Sequence, residues 1–279
     1  MDRRLTPFSG RIGHISLRSI LADTPLTEGE PARVTASLTA LLSAPQGAID
    51  RQLIYGDAVT IIDRRDGYTF VMAEKDGYCG WVSATDLGAS EQPDHRVISP
   101  ATHLYPEPRV QAPPKMALFL NARVRVIGES GSWAETPEGF IPKSHLAACG
   151  DHAPDPVAVA ESLLHAPYLW GGNSAAGVDC SGLVQLAFHA AGLACPGDSD
   201  LQQSLGTELA PGTAPQRGDL LFWRGHVALM TSPERLIHAN GYTMSVAYEP
   251  LAAATQRIST HYGGEIIARR RPDAVSLAL

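Results

Sequence analysis

The strongest constraint on the fold is an internal repeat. Residues 33–149 hold two copies of one β-rich pattern, offset by about 60 residues, the scale of a small barrel. The first copy contains LLSAP (41–45) and then GDAVTIIDRRDGYTFVMAEKDGYCGWVSATDL (56–87). The second contains HLYPEP (103–108) and then NARVRVIGESGSWAETPEGFIPKSHL (121–146). In each an alternating strand comes first, marked by Val59/Ile61 and by Val124/Val126. A turn and an aromatic strand follow, then Gly80-Trp81 or Gly139-Phe140, a polar turn, and Leu87 or Leu146. Asp66-Gly67 and Asp76-Gly77 predict tight hairpins, because Gly accepts the left-handed backbone such turns need.

Beyond the repeat the pattern changes. Asp155 suits a helix N-cap, Pro156 a first helical position, and Val157, Leu163 and Leu164 an apolar stripe that ends before Pro167. CSGLVQLAFHAA (180–191) predicts a second helix, capped by Asp179 and closed by Gly192. Short strands follow at 219–223, 226–230 and 235–239, with 245–251 as a candidate fourth. Helices followed by closely spaced strands argue for an α+β domain with an antiparallel sheet. The expected domains are an extension (1–30), docked or frayed, two barrels (31–90 and 91–150) and an α+β domain (151–279).

Composition narrows the partners. With 22 Lys+Arg against 29 Asp+Glu the net charge is -7, unfavourable for gripping nucleic acid or anionic lipid. No apolar run approaches the ~18 residues of a membrane helix. The start, MDRRLTPFSGRIGHISL, lacks an apolar signal region, so a cytoplasmic protein is expected. Cys79, Cys149, Cys180 and Cys195 form no C-x-x-C pair. Cys180 and Cys195 could pair under oxidising conditions, whereas free thiols are expected in a reducing cytosol.

One of these thiols stands out. A cysteine in the first turn of a helix faces unpaired N–H groups, which favour thiolate and can hold an oxyanion. That makes Cys180 a candidate nucleophile. His226 opens a strand and is the candidate base. His238, on the next strand, would orient His226; Asn240 is its rival but runs into a Gly turn.

YLWGGNSAAGVDCSGLVQLAF, RGDLLFW, GHVALM and LIHAN resemble, in this order, the NlpC/P60 family of papain-like cysteine peptidases. The resemblance covers about residues 150–270. It implies a papain-like catalytic domain preceded by two SH3-like β-barrels, with Cys180 as nucleophile, His226 as base and His238 as the orienting residue. It also implies substrate-binding roles for Tyr168, Trp170, Asp179, Ser181, and the pair Asp198 and Ser199. In the dipeptidyl-peptidase VI branch the first SH3-like domain contributes to the cleft, through residues that Tyr78 and Asp50 resemble. The implied substrate is a murein stem peptide with a free N-terminal L-Ala, cut at the γ-D-glutamyl–diamino acid bond during wall recycling, with no metal or organic cofactor. Wall remodelling, or a thiol amidase or acyltransferase on another amide, is the alternative.

Overall fold

A computed structural model describes residues 1–210 and 212–272, so residues 273–279 of the expected last domain lie outside the described residues. The chain divides into two compact units between Cys149 and Gly150.

The first unit holds both copies of the repeat. Seven strands make the first barrel: β1 (Glu30–Val34), β2 (Leu38–Leu42), β3 (Ile49–Ile54), β4 (Ala58–Arg65), β5 (Tyr68–Ala73), β6 (Cys79–Ser83) and β7 (Leu87–Ala89). They hydrogen-bond in the order β3-β2-β6-β5-β4-β1-β7. Asp66 and Gly67 both have positive φ (52° and 78°), the backbone of a tight hairpin whose twist matches the strands it joins. Val59, Ile61, Val71 and Val82 turn inward with Leu41 and Leu53 to form the core.

The second copy rebuilds the same plan with β8 (His95–Val97), β9 (Ala101–Leu104), β10 (Met116–Phe119), β11 (Arg123–Val124), β12 (Gly128–Ser130), β13 (Trp133–Thr136), β14 (Gly139–Pro142) and β15 (Leu146–Ala148). The Gly-aromatic pairs sit in equivalent strands, β6 and β14. Each of these strands leads through a three-residue 3-10 turn into the strand that opens on Leu87 or Leu146. The two barrels interlock. Tyr55, from the first, is buried in the core of the second with Val97, Leu104, Leu118, Val124 and Ile141. At Gly56 (φ 81°) a Cβ would stand 2.1 Å from the Arg123 carbonyl oxygen, so only glycine allows this approach.

The N-terminal extension is docked on this unit. Arg3 donates to Asp50 at 2.6 and 2.7 Å, and Arg11 forms an ion pair with Asp63.

In the second unit, helix α1 (Pro156–Ser162) is capped by Asp155, whose carboxylate accepts from the Val157 N–H. The short hairpin β16 (Asn173–Ser174) and β17 (Gly177–Val178) leads into α2 (Cys180–Ala190). A one-turn helix, α3 (Ser199–Gln202), follows. The sheet contains β18 (Thr207–Glu208), β19 (Leu220–Trp223), β20 (His226–Ser232), β21 (Arg235–Asn240), β22 (Ser245–Pro250) and β23 (Ala268–Arg271), with helix α4 (Leu251–Ile258) after β22. Its order is β18-β23-β19-β20-β21-β22, antiparallel throughout. Helix α2 is buried on nearly every side, its polar Ser181 and Gln185 side chains hydrogen-bonded to Asp179 and the Cys195 carbonyl, and it packs on β20 and β21. Those contacts place the helix N-terminus beside the strand that His226 opens.

The fit at that N-terminus is tight. A Cβ on Gly182 would stand 2.3 Å from the carbonyl oxygen of Gly172. Gly182→Ala is therefore expected to cost about 1–3 kcal/mol through overpacking against backbone, read as a lower urea midpoint. An unchanged midpoint would mean that the 171–172 loop yields freely.

Candidate active site

Asp179 organises the nucleophile turn. Its carboxylate accepts from the Gly182 N–H (2.7 Å), the Ser181 hydroxyl (2.9 Å) and the Gly171 N–H (2.9 Å). It thus caps α2 and ties the preceding loop to it. Ser181 spends its hydroxyl on this cap. Gln202, fully buried at the end of α3, donates to the Ser181 carbonyl at 2.9 Å and holds α3 against the same turn. Asp198 and Ser199 stand half-buried at the other end of α3, and the Asp198 side chain makes no capping hydrogen bond there.

Cys180 lies buried at the head of α2. The backbone N–H of Val227, the residue next to His226, stands close enough to act on its sulfur. Burial pushes this thiol up to about 12, and the Asp179 carboxylate adds to the rise. The backbone N–H groups of Val227, Ser181 and Cys180 oppose it without prevailing. The helix terminus favours the thiolate, as its place in the sequence suggests, but removal from water outweighs it. Burial likewise drives His226 down to about 3, with His238 and Arg257 adding to the fall. The resting pair is therefore a neutral thiol and a neutral imidazole.

His226 Nε2 lies 2.9 Å from His238 Nδ1. Asn240 is not placed against His226; its side-chain oxygen accepts from the Tyr242 and Thr243 N–H groups and holds the β21–β22 turn. Beyond His238 stands a residue the sequence reading missed. Glu249 Oε2 is 3.1 Å from His238 Nε2, somewhat off the N–H direction, and so forms a polar contact rather than a straight hydrogen bond. Glu249 also accepts from Arg257 at 3.0 and 2.6 Å. Burial acts to raise the Glu249 carboxyl, but His238 and Arg257 overcome it and hold it at about 2. A carboxylate only accepts, so it favours the tautomer of His238 that is protonated on the nitrogen facing it. His238 Nδ1 then accepts from His226 Nε2–H, and His226 Nδ1 is left as a bare lone pair. Fixed charge two residues away thus sets the tautomer of the base.

Tyr168 stands close enough for Cys180 and Asp179 to act on it. Burial first, and these two groups after it, push its phenol up to about 12, so it remains a donor. Trp170, in contrast, is 71% exposed and packs into no core. In the first unit, Tyr78 is buried in the barrel core with the Arg51 guanidinium 5.2 Å from its ring centre. Asp50 is engaged by Arg3. Among the described residues no cluster of three or more His, Cys, Asp or Glu is placed to hold a metal ion, and no helix is long and apolar enough to cross a membrane. All four cysteines are free thiols.

Residues 165–262 match the NlpC/P60 family, and residues 41–87 match the bacterial dipeptidyl-peptidase Sh3 domain. The chain carries an NlpC/P60 cysteine peptidase domain. A γ-D-glutamyl-L-lysine dipeptidyl-peptidase of Bacillus subtilis (strain 168) is 27% identical over 249 residues, covering 80% of this chain and 81% of that one. A protein of the same name from Bacillus cereus (strain ATCC 10987 / NRS 248) is 24% identical over 237 residues, 73% of this chain and 71% of that one. The crystal structure of an NlpC/P60 family protein from Bacillus cereus ATCC 10987 superposes with a TM-score of 0.73 at 21% identity, covering 87% of this chain and 99% of that chain. That likeness shows a shared fold: an SH3-like region followed by an NlpC/P60 domain of mixed helix and sheet.

Proposed function

We propose that this NlpC/P60 peptidase hydrolyses the γ-D-glutamyl–diamino acid bond of murein stem peptides that carry a free N-terminal L-Ala, releasing L-Ala-D-Glu. The observation that carries the reading is the buried Cys180 at the head of α2, within reach of the amide of Val227, the neighbour in sequence of His226, together with the 2.9 Å contact of His226 Nε2 with His238 Nδ1. The relatives' names support the choice of bond.

His226 Nδ1 takes the proton of the Cys180 thiol as sulfur attacks the γ-glutamyl carbonyl carbon. The Cys180 backbone N–H and the protonated Tyr168 hydroxyl stabilise the resulting oxyanion. His226 then gives the proton to the leaving amine, the C–N bond breaks, and a thioester remains. Water, deprotonated by His226, attacks the thioester and releases the new carboxylate with the free thiol. The ion pair that exists during attack is formed only when substrate is present, because burial disfavours it beforehand.

Asp198 receives the substrate α-ammonium and Ser199 the α-carboxylate of D-Glu. A net charge of -7 disfavours adhesion to a polyanionic wall and supports recycling of released peptides instead.

Incubation of the protein with L-Ala-γ-D-Glu-diaminopimelate, with and without an N-acetyl cap, tests this reading by product mass. The free peptide should yield L-Ala-D-Glu. The capped peptide should react at least ~10²-fold more slowly, because Asp198 loses its cationic partner and the acetyl group adds bulk at that end. Equal cleavage of capped peptides or whole sacculi would replace recycling with wall remodelling.

A further inference from the structure

We propose that the cavity beside His226 seats the leaving diamino acid, and that Arg224 pairs there with a carboxylate on that residue's side chain, so that diaminopimelate is preferred to lysine at the third position. This rests on the γ-glutamyl peptidase reading above. The cavity measures about 240 Å³ and is lined in part by Tyr168, Arg224, His226, Asn240, Tyr242 and Arg257. It lies just below the ~300–1,000 Å³ of drug-sized sites, a volume suited to one residue rather than a long chain.

Its position follows from the chemistry. His226 must reach the leaving amine to protonate it, so the residue that owns this amine lies against His226 and not on the acyl side. A cavity with His226 in its wall and Tyr168 at its edge is where that residue comes to rest.

Its charge follows from the lining. Two guanidinium groups border the space and no carboxylate does. Arg257 is already neutralised by its two-pronged contact with Glu249 and stacks over Tyr242 with 4.6 Å to the ring centre. Arg224 is exposed, and among the described residues no carboxylate pairs with it. A lysine side chain would bring only an ammonium toward these cations. The diaminopimelate side chain ends in an ammonium and a carboxylate on one carbon, so its carboxylate can meet Arg224 while its ammonium turns to water. Both tripeptides share the main-chain carboxylate, so comparing them isolates the second one.

The test is kcat/KM on L-Ala-γ-D-Glu-meso-diaminopimelate and L-Ala-γ-D-Glu-L-Lys for the wild-type chain, Arg224→Ala and Arg224→Glu, with the melting temperature of each variant as a folding control. The wild type should favour the diaminopimelate peptide by on the order of ten-fold, the effect of about one partly shielded charge pair. Arg224→Ala should level the two substrates, and Arg224→Glu should favour lysine. Equal rates in the wild type, a lysine preference, or a preference that survives both substitutions overturns the assignment of Arg224. If neither peptide is cut by the wild type, the γ-glutamyl reading falls and takes this inference with it.

Discussion

Cys180→Ala is expected to reduce hydrolysis of free-amine stem peptides to background while the circular dichroism spectrum stays that of the wild type. The covalent route has no second nucleophile, and the substitution removes one buried sulfur without opening a large cavity. Iodoacetamide should also label Cys180 faster than Cys79, Cys149 or Cys195 near pH 7. This selectivity has a particular origin. Burial raises Cys79 to about 12, as it does Cys180, and it raises Cys149 too. Intrinsic acidity therefore does not separate these thiols; a neighbouring base does. His226→Ala should slow labelling of Cys180 to the level of Cys79. Four equally reactive thiols in the wild type would show that no base assists Cys180.

His226→Ala should lower kcat by about 10²–10⁴-fold, the usual contribution of a positioned acid/base. His238→Ala should cost less, since it removes orientation and leaves the imidazole. Glu249→Ala should lower kcat, because it releases the tautomer of His226. Nitrogen-15 spectra give the direct readout. The wild type should show His226 protonated at Nε2 alone, and Glu249→Ala a mixture of tautomers. If Asn240→Ala proves far worse than His238→Ala, the orienting role has been given to the wrong residue. The pH dependence has a definite sign. The neutral imidazole of His226 persists down to about 3 instead of 6.5, so the acid limb of kcat/KM should lie below the ordinary histidine range. Between those values the unfolded chain binds a proton on this residue that the native one does not, so stability rises with pH across that window. Glu249, lowered from 4.5 to about 2, adds the same sign over its own interval. Stability measured across pH 3–6 should flatten in His226→Ala.

What the sequence made legible was whatever depends on short spacing. The barrel repeat, the Asp66-Gly67 hairpin, the Asp155 and Asp179 caps and the helix from Cys180 follow from local pattern, and the observed elements occupy those places. Glu249 was illegible because its role depends on register. His238 pairs with Ala247 and Leu236 with Glu249, so Glu249 stands diagonally across the sheet from His238 on the same face. Only a fixed β21–β22 pairing discloses that. The protonation state of Cys180 is illegible for a related reason: a helix N-terminus can be read from residues, but the depth of burial that opposes it is a property of the assembled domain. Trp170 shows the reverse limit, an aromatic in a motif-rich segment that faces water.

The shared position of Tyr55 bears on how the first unit can be cut. A single copy of the repeat, excised at residue 90, would carry Tyr55 with no core to fill, and the partner copy would keep a hole where that ring belongs. The natural exchangeable module in this chain is therefore the pair, and a graft of one barrel onto another enzyme should unfold where a graft of both holds.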